Sequence, residues 1–226
     1  MIFVSAATGG PFAHLHAWDT SAFLWLNALH SPVGDLAARF ASSPWLLAAT
    51  HVVLLVALLR GRDWRQFVVL VSLLLLIVLA DLAGAHLIKD LVQRPRPSWQ
   101  PDLAPLIHLV DGRRGGTFGF ISTHTAYAFA VATFALLYLR RRGLVALLFA
   151  WATAIAYSRI YLGLHFPGDV LGGAIWGTAV AFGVAHAMAL VRVRSARQPG
   201  RPLLQPQTPA DAHPAASAPA TTLPSA

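Results

Sequence analysis

Five apolar runs, at residues 44–59, 67–88, 123–139, 144–160 and 170–191, divide the chain into long hydrophobic blocks joined by short polar ones. Each run is roughly 16 to 22 residues long, and about 20 residues at 1.5 Å rise cross ~30 Å of hydrocarbon, so the pattern predicts five spanning helices. The shortest is expected to extend backwards from Pro44 through Leu36 to Ser43. Ahead of these runs, Trp18, Ala22, Trp25, Leu26 and Leu29 recur at helical spacing, while Asp19 and Asn27 fall off that face. This predicts an N-terminal amphipathic helix lying in the outer membrane interface, with a sixth spanning helix as the other reading. The expected fold class is therefore an all-α integral membrane protein, a bundle of five to six transmembrane helices.

The polar links carry the topology. Arg60, Arg62 and Arg65 separate the first two runs, Arg140, Arg141 and Arg142 the third and fourth, and Arg192, Arg194, Arg197 and Arg201 follow the fifth. Basic residues accumulate in cytoplasmic loops, so segments 89–122 and 161–169 are expected to face outward. Arg113 and Arg114 run against this pattern by placing two charges in an outer loop. The start of the chain has no basic n-region or cleavage pattern and is not read as a signal peptide. From Gln198 onward, Pro199, Pro202, Pro206, Pro209, Pro214, Pro219 and Pro224 alternate with small polar residues and Ala. That composition cannot bury enough apolar surface to order itself, so residues 1–197 are read as the membrane domain and 198–226 as a disordered tail.

Composition agrees with this picture and narrows the chemistry. Of 226 residues, 56% are hydrophobic and 12% charged, with a mean hydropathy of +0.59. Soluble domains carry about 25% charged residues, so a soluble globular domain is excluded. The net charge of +8 is dispersed in blocks between apolar runs and forms no stripe, which argues against nucleic acid as a partner. There is no cysteine, which excludes disulfides, a thiolate nucleophile, Cys-ligated zinc and iron–sulfur clusters. There is also no glutamate, and Lys89 is the only lysine.

With the expected topology, the second run ends at Lys89, the third begins near Ser122 and His124, the fourth ends near Arg159, and the fifth begins at Asp169 just after His165. All these ends lie on the outer side. Two helix N-termini, each with about half a positive charge, would then sit beside Lys89, Arg96 and Arg159, an arrangement suited to a phosphate with two histidines in reach.

Three blocks make this specific. The first runs Lys89-Asp90-Leu91-Val92-Gln93-Arg94-Pro95-Arg96-Pro97, a Lys six residues before Arg-Pro; the second is Phe120-Ile121-Ser122-Thr123-His124; the third is Ser158-Arg159, five residues, His165, three residues, Asp169. Together they resemble the tripartite signature of the type 2 phosphatidic acid phosphatase superfamily, over about residues 67 to 190. The family includes membrane lipid phosphatases, glucose-6-phosphatase and the vanadium haloperoxidases. The second block departs from the usual Pro-Ser-Gly-His in having Thr123 for Gly, which still supplies a backbone N–H while its φ stays negative.

The resemblance implies roles for the matching positions. His165 would be the nucleophile that forms a phosphohistidine, with Asp169 holding its tautomer. His124 would be the general acid that protonates the leaving oxygen. Lys89, Arg96, Ser122, the N–H of Thr123 and Arg159 would bind the phosphate oxygens. No metal or cofactor is implied; the absence of Cys and Glu and the scatter of the outer Asp residues point the same way. The expected activity is hydrolysis of a lipid phosphomonoester or diphosphate in a bacterial inner membrane, with the site facing the periplasm. Undecaprenyl diphosphate is the preferred substrate, and phosphatidate, phosphatidylglycerophosphate or lipid A phosphate, or phosphotransfer to another acceptor, are the alternatives. A non-catalytic lipid-phosphate transporter or scramblase is the reading from a different class, although transporters place ionisable groups near the midplane and often show repeats.

Plainer readings compete at individual positions. Isolated basic residues at helix ends are by default interfacial anchors, but fixed spacing favours phosphate binding for Lys89 and Arg96. Ser122 and Asp169 are expected to cap the third and fifth helices. Asp81, about two turns before Lys89, is read as a structural pair or neutral acid, and His51, His86 and His186 as structural. Gly173 and Gly177 form a small-xxx-small pair that predicts a close helix contact. Arg94, Arg113 and Arg114 are read equally as attracting an anionic headgroup or as solvated.

Overall fold

The computed structural model describes residues 11–43, 45, 52, 88–138 and 142–197, with 11, 12 and 191–197 described by backbone alone. Nearly all of the two runs expected at 44–59 and 67–88, with Asp81, His51 and His86, and the whole tail 198–226, lie outside the described residues. Among the described residues six α-helices follow in order: α1 Pro11–Asn27, α2 Pro32–Ala41, α3 Lys89–Val92, α4 Thr123–Tyr138, α5 Arg142–Tyr161 and α6 Pro167–Arg197. Short 3-10 turns at Pro97–Trp99 and Val110–Gly112 and an isolated bridge between Pro95 and Phe118 organise the segment between α3 and α4. Among the described residues two helices are long and apolar enough to cross a bilayer, Arg142–Tyr161 and Pro167–Leu190, each with mean hydropathy 1.5.

Where the apolar runs at 123–139, 144–160 and 170–191 predicted helices, α4, α5 and α6 occur, and α6 continues through its basic cluster to Arg197 because no breaker intervenes before Pro199. The lead-in expected from Leu36 into the first run is corrected. Ser31 accepts the Gly34 N–H at 3.0 Å and Pro32 occupies the first turn, so a separate helix starts there. It stops at Ala41, where the Ser42 N–H closes on the Ala38 carbonyl at 3.0 Å.

α1 turns Asn27 toward the protein and leaves its two indoles outward. Phe23 and Asn27 are buried, whereas Trp18 is 79% and Trp25 67% exposed. Asn27 finds enough partners to be buried: Nδ2 donates to the Tyr161 carbonyl at 2.8 Å and the His108 carbonyl at 3.1 Å, and Oδ1 accepts the His108 N–H at 2.8 Å. The outward indole pair suits lipid or its interface, where an amphipathic ring is stable.

The frame that positions the site is the α4–α5–α6 packing. Tyr127, Ala130, Val131 and Phe134 of α4 meet Ala181, Val184 and Met188 of α6, and Ala128, Ala132 and Ala135 meet Leu148, Ala152 and Ile155 of α5. The close contact predicted at Gly173 and Gly177 is present. A Cβ on Gly173 would lie 2.5 Å from the Ser122 carbonyl, and one on Gly177 would collide with the Ala126 carbonyl. Backbone therefore meets backbone at the top of α4 and α6, which draws their N-termini to the same place.

Candidate active site

The third sequence block is a helix end, a turn and a helix start, and local rules explain its spacing. α5 closes in a Schellman motif: Leu164 N–H bonds the Arg159 carbonyl at 3.1 Å, Gly163 N–H bonds the Ile160 carbonyl at 3.0 Å, and Gly163 takes φ +73°. The same Arg159 carbonyl accepts the His165 N–H at 3.2 Å, so the end of α5 fixes the histidine backbone. Phe166 then caps α6, Pro167 fills its first position, and Asp169 sits at the third. Asp169 was expected to be the cap itself. It is instead the acidic half of a capping box, with Oδ2 accepting the Phe166 N–H at 3.0 Å. Ser122 does occupy the cap position of α4: its carbonyl accepts the Ala126 N–H at 2.9 Å and its hydroxyl the Thr125 hydroxyl proton at 3.1 Å.

These turns bring the predicted residues together. Arg96 Nη1 lies 3.2 Å from His165 Nε2 and 3.3 Å from the Leu164 carbonyl, while Arg96 Nε donates to the Phe118 carbonyl at 3.2 Å. A guanidinium keeps its protons and has no acceptor, so Nε2 must receive this contact. The ring proton is thereby placed on Nδ1, which faces Asp169 Oδ2 at 3.6 Å. Ser122 N–H donates to the Asp169 carbonyl at 3.0 Å, tying the second block to the third. Thr123, half-buried, is the first residue of α4, and the N–H groups of a first helical turn have no carbonyl within the helix to receive them. Lys89, Arg96, Arg159 and His165 are all close enough to His124 to act on it electrostatically.

Electrostatics there favour a neutral His165 ring. Burial, then the charges of Arg96, Arg159 and Lys89, hold the His165 imidazole well below its ordinary value, against the opposing pull of the Gly119 carbonyl. The pocket also depends on close backbone approach. A Cβ on Gly119 would stand 2.9 Å from Asp169 Oδ2 and 3.1 Å from Arg96 Cγ. Among the described residues no three His, Asp, Cys or Glu side chains gather as a metal site would need.

Other sequence candidates lie elsewhere. Arg113 and Arg114 are exposed, with the Arg114 guanidinium 5.8 Å from the Trp99 ring, and His186 is exposed on α6. Arg94, read as headgroup-attracting or solvated, does neither: Nη1 contacts Asp169 Oδ1 at 2.8 Å and Nη2 contacts Asp19 Oδ2 at 2.6 Å. Its signal was the Arg94-Pro95-Arg96-Pro97 doublet, in which two arginines one residue apart point to different partners.

Apolar helices whose ends converge on a cationic site with two histidines define a class, the membrane-embedded phosphate-ester hydrolases. Residues 66–192 match the PAP2 superfamily, and the chain belongs to it. It is a phosphoric ester hydrolase, as its relatives are. It is 37% identical over 162 residues to the lipid A 4'-phosphatase of Bacteroides thetaiotaomicron, covering 70% of this chain and 72% of that one. It is 35% identical over 86 residues to phosphatidylglycerophosphatase B of Escherichia coli, covering 37% of this chain and 29% of the other. The crystal structure of Aquifex aeolicus LpxE superposes with a TM-score of 0.56 at 28% identity, over 74% of this chain and 94% of that one. The transmembrane PAP2-type phosphatidylglycerolphosphate phosphatase of Bacillus subtilis, at 21% identity and TM-score 0.61, shares the fold over 79% of this chain and 88% of its own.

Proposed function

We propose that the chain hydrolyses a lipid phosphomonoester, with lipid A phosphate as the preferred class, through a phosphohistidine on His165. The observation that carries this is the Arg96 Nη1 to His165 Nε2 contact, which leaves the lone pair of Nε2 directed at the place where an arginine would hold phosphate oxygen. When the phosphate enters, Arg96 turns its donor to an equatorial oxygen and frees Nε2. The N–P bond forms as the P–O bond to the lipid breaks, and His124 gives its proton to the departing alkoxide. Water then attacks phosphorus, His124 takes a proton from it, and inorganic phosphate leaves with His165 restored. Lys89, Arg96, Arg159, Ser122 and the Thr123 N–H stabilise the charge on the oxygens throughout. Asp169 meets the positive charge that grows on His165, and the 3.6 Å gap closes as that charge develops, since catalytic contacts are often long in the empty site.

Substrate class rests on the relatives. The 4'-phosphate of lipid A and phosphatidylglycerophosphate, named for the Bacteroides and Escherichia proteins, are both monoesters. The expectation of undecaprenyl diphosphate draws no support from them. The transporter or scramblase reading is set aside by the family. Purified protein is expected to release phosphate from lipid A phosphate faster than from phosphatidylglycerophosphate or undecaprenyl diphosphate, with activity unaffected by chelator and inhibited by vanadate, which mimics five-coordinate phosphorus. A preference for the diphosphate would overturn the substrate class, and activity abolished by chelator and restored only by a divalent ion would overturn the mechanism.

The outward, periplasmic orientation of a five- to six-span bundle is part of the same proposal and rests on the arginine clusters. The native chain has no cysteine, so single cysteines give a clean readout. Gln100→Cys or Arg113→Cys is expected to react with an impermeant thiol reagent outside intact cells, and Arg62→Cys or Arg141→Cys is not. The reverse pattern would place the site in the cytoplasm.

A further inference from the structure

We propose that Asp19 and Arg94 form a positioning device for the Asp169–His165 dyad, which makes the N-terminal helix α1 part of the active site. This rests on the hydrolase reading above. The Asp169 side chain is wholly buried, and its two oxygens have different partners. Oδ2 accepts the Phe166 N–H at 3.0 Å and faces His165 Nδ1 at 3.6 Å; Oδ1 accepts from Arg94 Nη1 at 2.8 Å. The terminal torsion of an aspartate is broad and has no sharp minimum of its own, so the plane of the carboxylate is set by what holds each oxygen. Holding Oδ1 aims Oδ2 at the histidine.

Arg94 is itself oriented from two sides. Its Nη2 contacts Asp19 Oδ2 at 2.6 Å, and its guanidinium carbon stands 4.2 Å over the Phe166 ring, a cation–π contact on the residue next to the nucleophile. The guanidinium fork thus spans two carboxylates, a geometry that a point charge does not reproduce. Asp19 has a second task, because its Oδ1 accepts the Gly168 N–H at 2.7 Å and so closes an otherwise open position in the first turn of α6. One side chain on α1 therefore holds both the start of the helix that bears Asp169 and the arginine that orients it. Phe23 of α1, buried and 5.3 Å edge-on to Phe166, keeps α1 seated there.

Charge explains why two residues are needed. Arg94 alone would neutralise Asp169 and weaken its support for the cation that develops on His165. Burial pushes the Asp169 carboxyl up and Arg94 holds it down against that, and with Asp19 the three ionised groups sum to minus one, so a net negative charge is left to face the ring. The other groups facing this set are His16 of α1, whose Nδ1 lies 3.5 Å from Arg94 Nη2, and Arg96, Arg159, Lys89 and His124 on the phosphate side. Arg96 meets the ring at Nε2 while Asp169 faces Nδ1, so the Asp19–Arg94 pair reaches His165 through Asp169 and not through the contact that Arg96 makes.

That division gives the test. Arg94→Gln in the full-length protein is expected to lower kcat by ~10- to 100-fold, the scale seen when a partner that orients a functional histidine is lost. KM should stay within about twofold, because an interaction felt in the transition state and not in ground-state binding lowers kcat alone. Asp19→Asn keeps an acceptor for Gly168 while removing the charge, and is expected to lower kcat in the same way by a smaller factor. Arg94→Lys, which keeps the charge and gives up the fork, should fall between wild type and Arg94→Gln. A purely structural tie would instead lower the thermal midpoint with kcat per folded molecule unchanged. Wild-type kcat in Arg94→Gln or Asp19→Asn, or a loss confined to KM, overturns the inference. Should Arg94→Gln fail to fold, Asp19→Asn and Arg94→Lys decide on the same criteria. Variants at wild-type kcat beside an inert His165→Ala would remove this inference alone, whereas an active His165→Ala would remove the hydrolase reading beneath it.

Discussion

His165→Ala will release no phosphate above background from lipid or aryl phosphates alike, because without the imidazole no N–P bond forms whatever the leaving group. The structure gives this loss its particular meaning. His165 sits in the turn between α5 and α6, with its backbone N–H held by the Arg159 carbonyl, so the substitution removes a ring without removing a turn-forming residue. Folding and phosphate binding should persist, and an inert variant that still binds vanadate or substrate places the defect in chemistry. The pH dependence follows from the same residue. Burial and the charges of Arg96, Arg159 and Lys89 depress His165 below its ordinary 6.5, so the nucleophile stays neutral as pH falls through that value. Arg96→Gln removes the cation that contacts Nε2 and lets the folded value rise toward 6.5. The acid limb of its kcat/KM profile should therefore lie at higher pH than that of wild type when both are measured on one substrate, whose own ionisation is common to the two. An acid limb that moves downward, or His165→Ala turning over the aryl ester, would contradict the assignment.

The parts of this site that could be read from the chain are those governed by spacing along it. Lys89, Arg96, His165 and Asp169 could be singled out because short segments with fixed offsets impose fixed relations. The Schellman turn after Arg159 and the Phe166-Pro167 helix start show why the offset in the third block cannot drift. The glycine pair on α6 was equally legible, since a missing Cβ has few uses inside an apolar helix other than close contact. Illegible features were those in which a partner comes from a distant segment. Asp19 and Asn27 lie off the apolar face of α1, and helical periodicity says only that they avoid lipid. Whether such a residue meets water or a buried polar group depends on what the fold brings opposite, here Arg94 and Gly168 for Asp19 and the His108 and Tyr161 backbone for Asn27. Arg94 was ambiguous for the same reason. α2 was missed on different grounds: Leu36 to Ala41 are apolar enough to pass for the lead-in of a spanning run, and the stop at Ser42 is set by local backbone closure that hydropathy does not see.

The second large effect separates the two histidines. His124→Ala will be severely impaired on a lipid phosphomonoester and much less on an aryl phosphate. An alkoxide is a poor leaving group and must be protonated as it departs, a task for which a placed general acid is worth roughly 100- to 10,000-fold. An aryl oxide leaves readily as an anion and needs little help, so the same truncation removes little. The proposed mechanism gives this role to His124 and not to His165. His124 lies in the first turn of α4, and Arg159, His165, Arg96 and Lys89 are all close enough to act on it electrostatically. In the proposed in-line displacement Nε2 attacks phosphorus on one side and His124 protonates the oxygen that departs on the other. Asp169→Asn should show the contrasting pattern of a comparable fractional loss on both substrates, because it weakens support for the cation forming on His165 and that cation forms with either leaving group. The measurement is turnover of the two variants on the two substrate classes under one set of conditions. Equal fractional losses for His124→Ala on both would refute its role as the acid, and a leaving-group dependence in Asp169→Asn as steep as that of His124→Ala would place the proton donor on the wrong side of the phosphate.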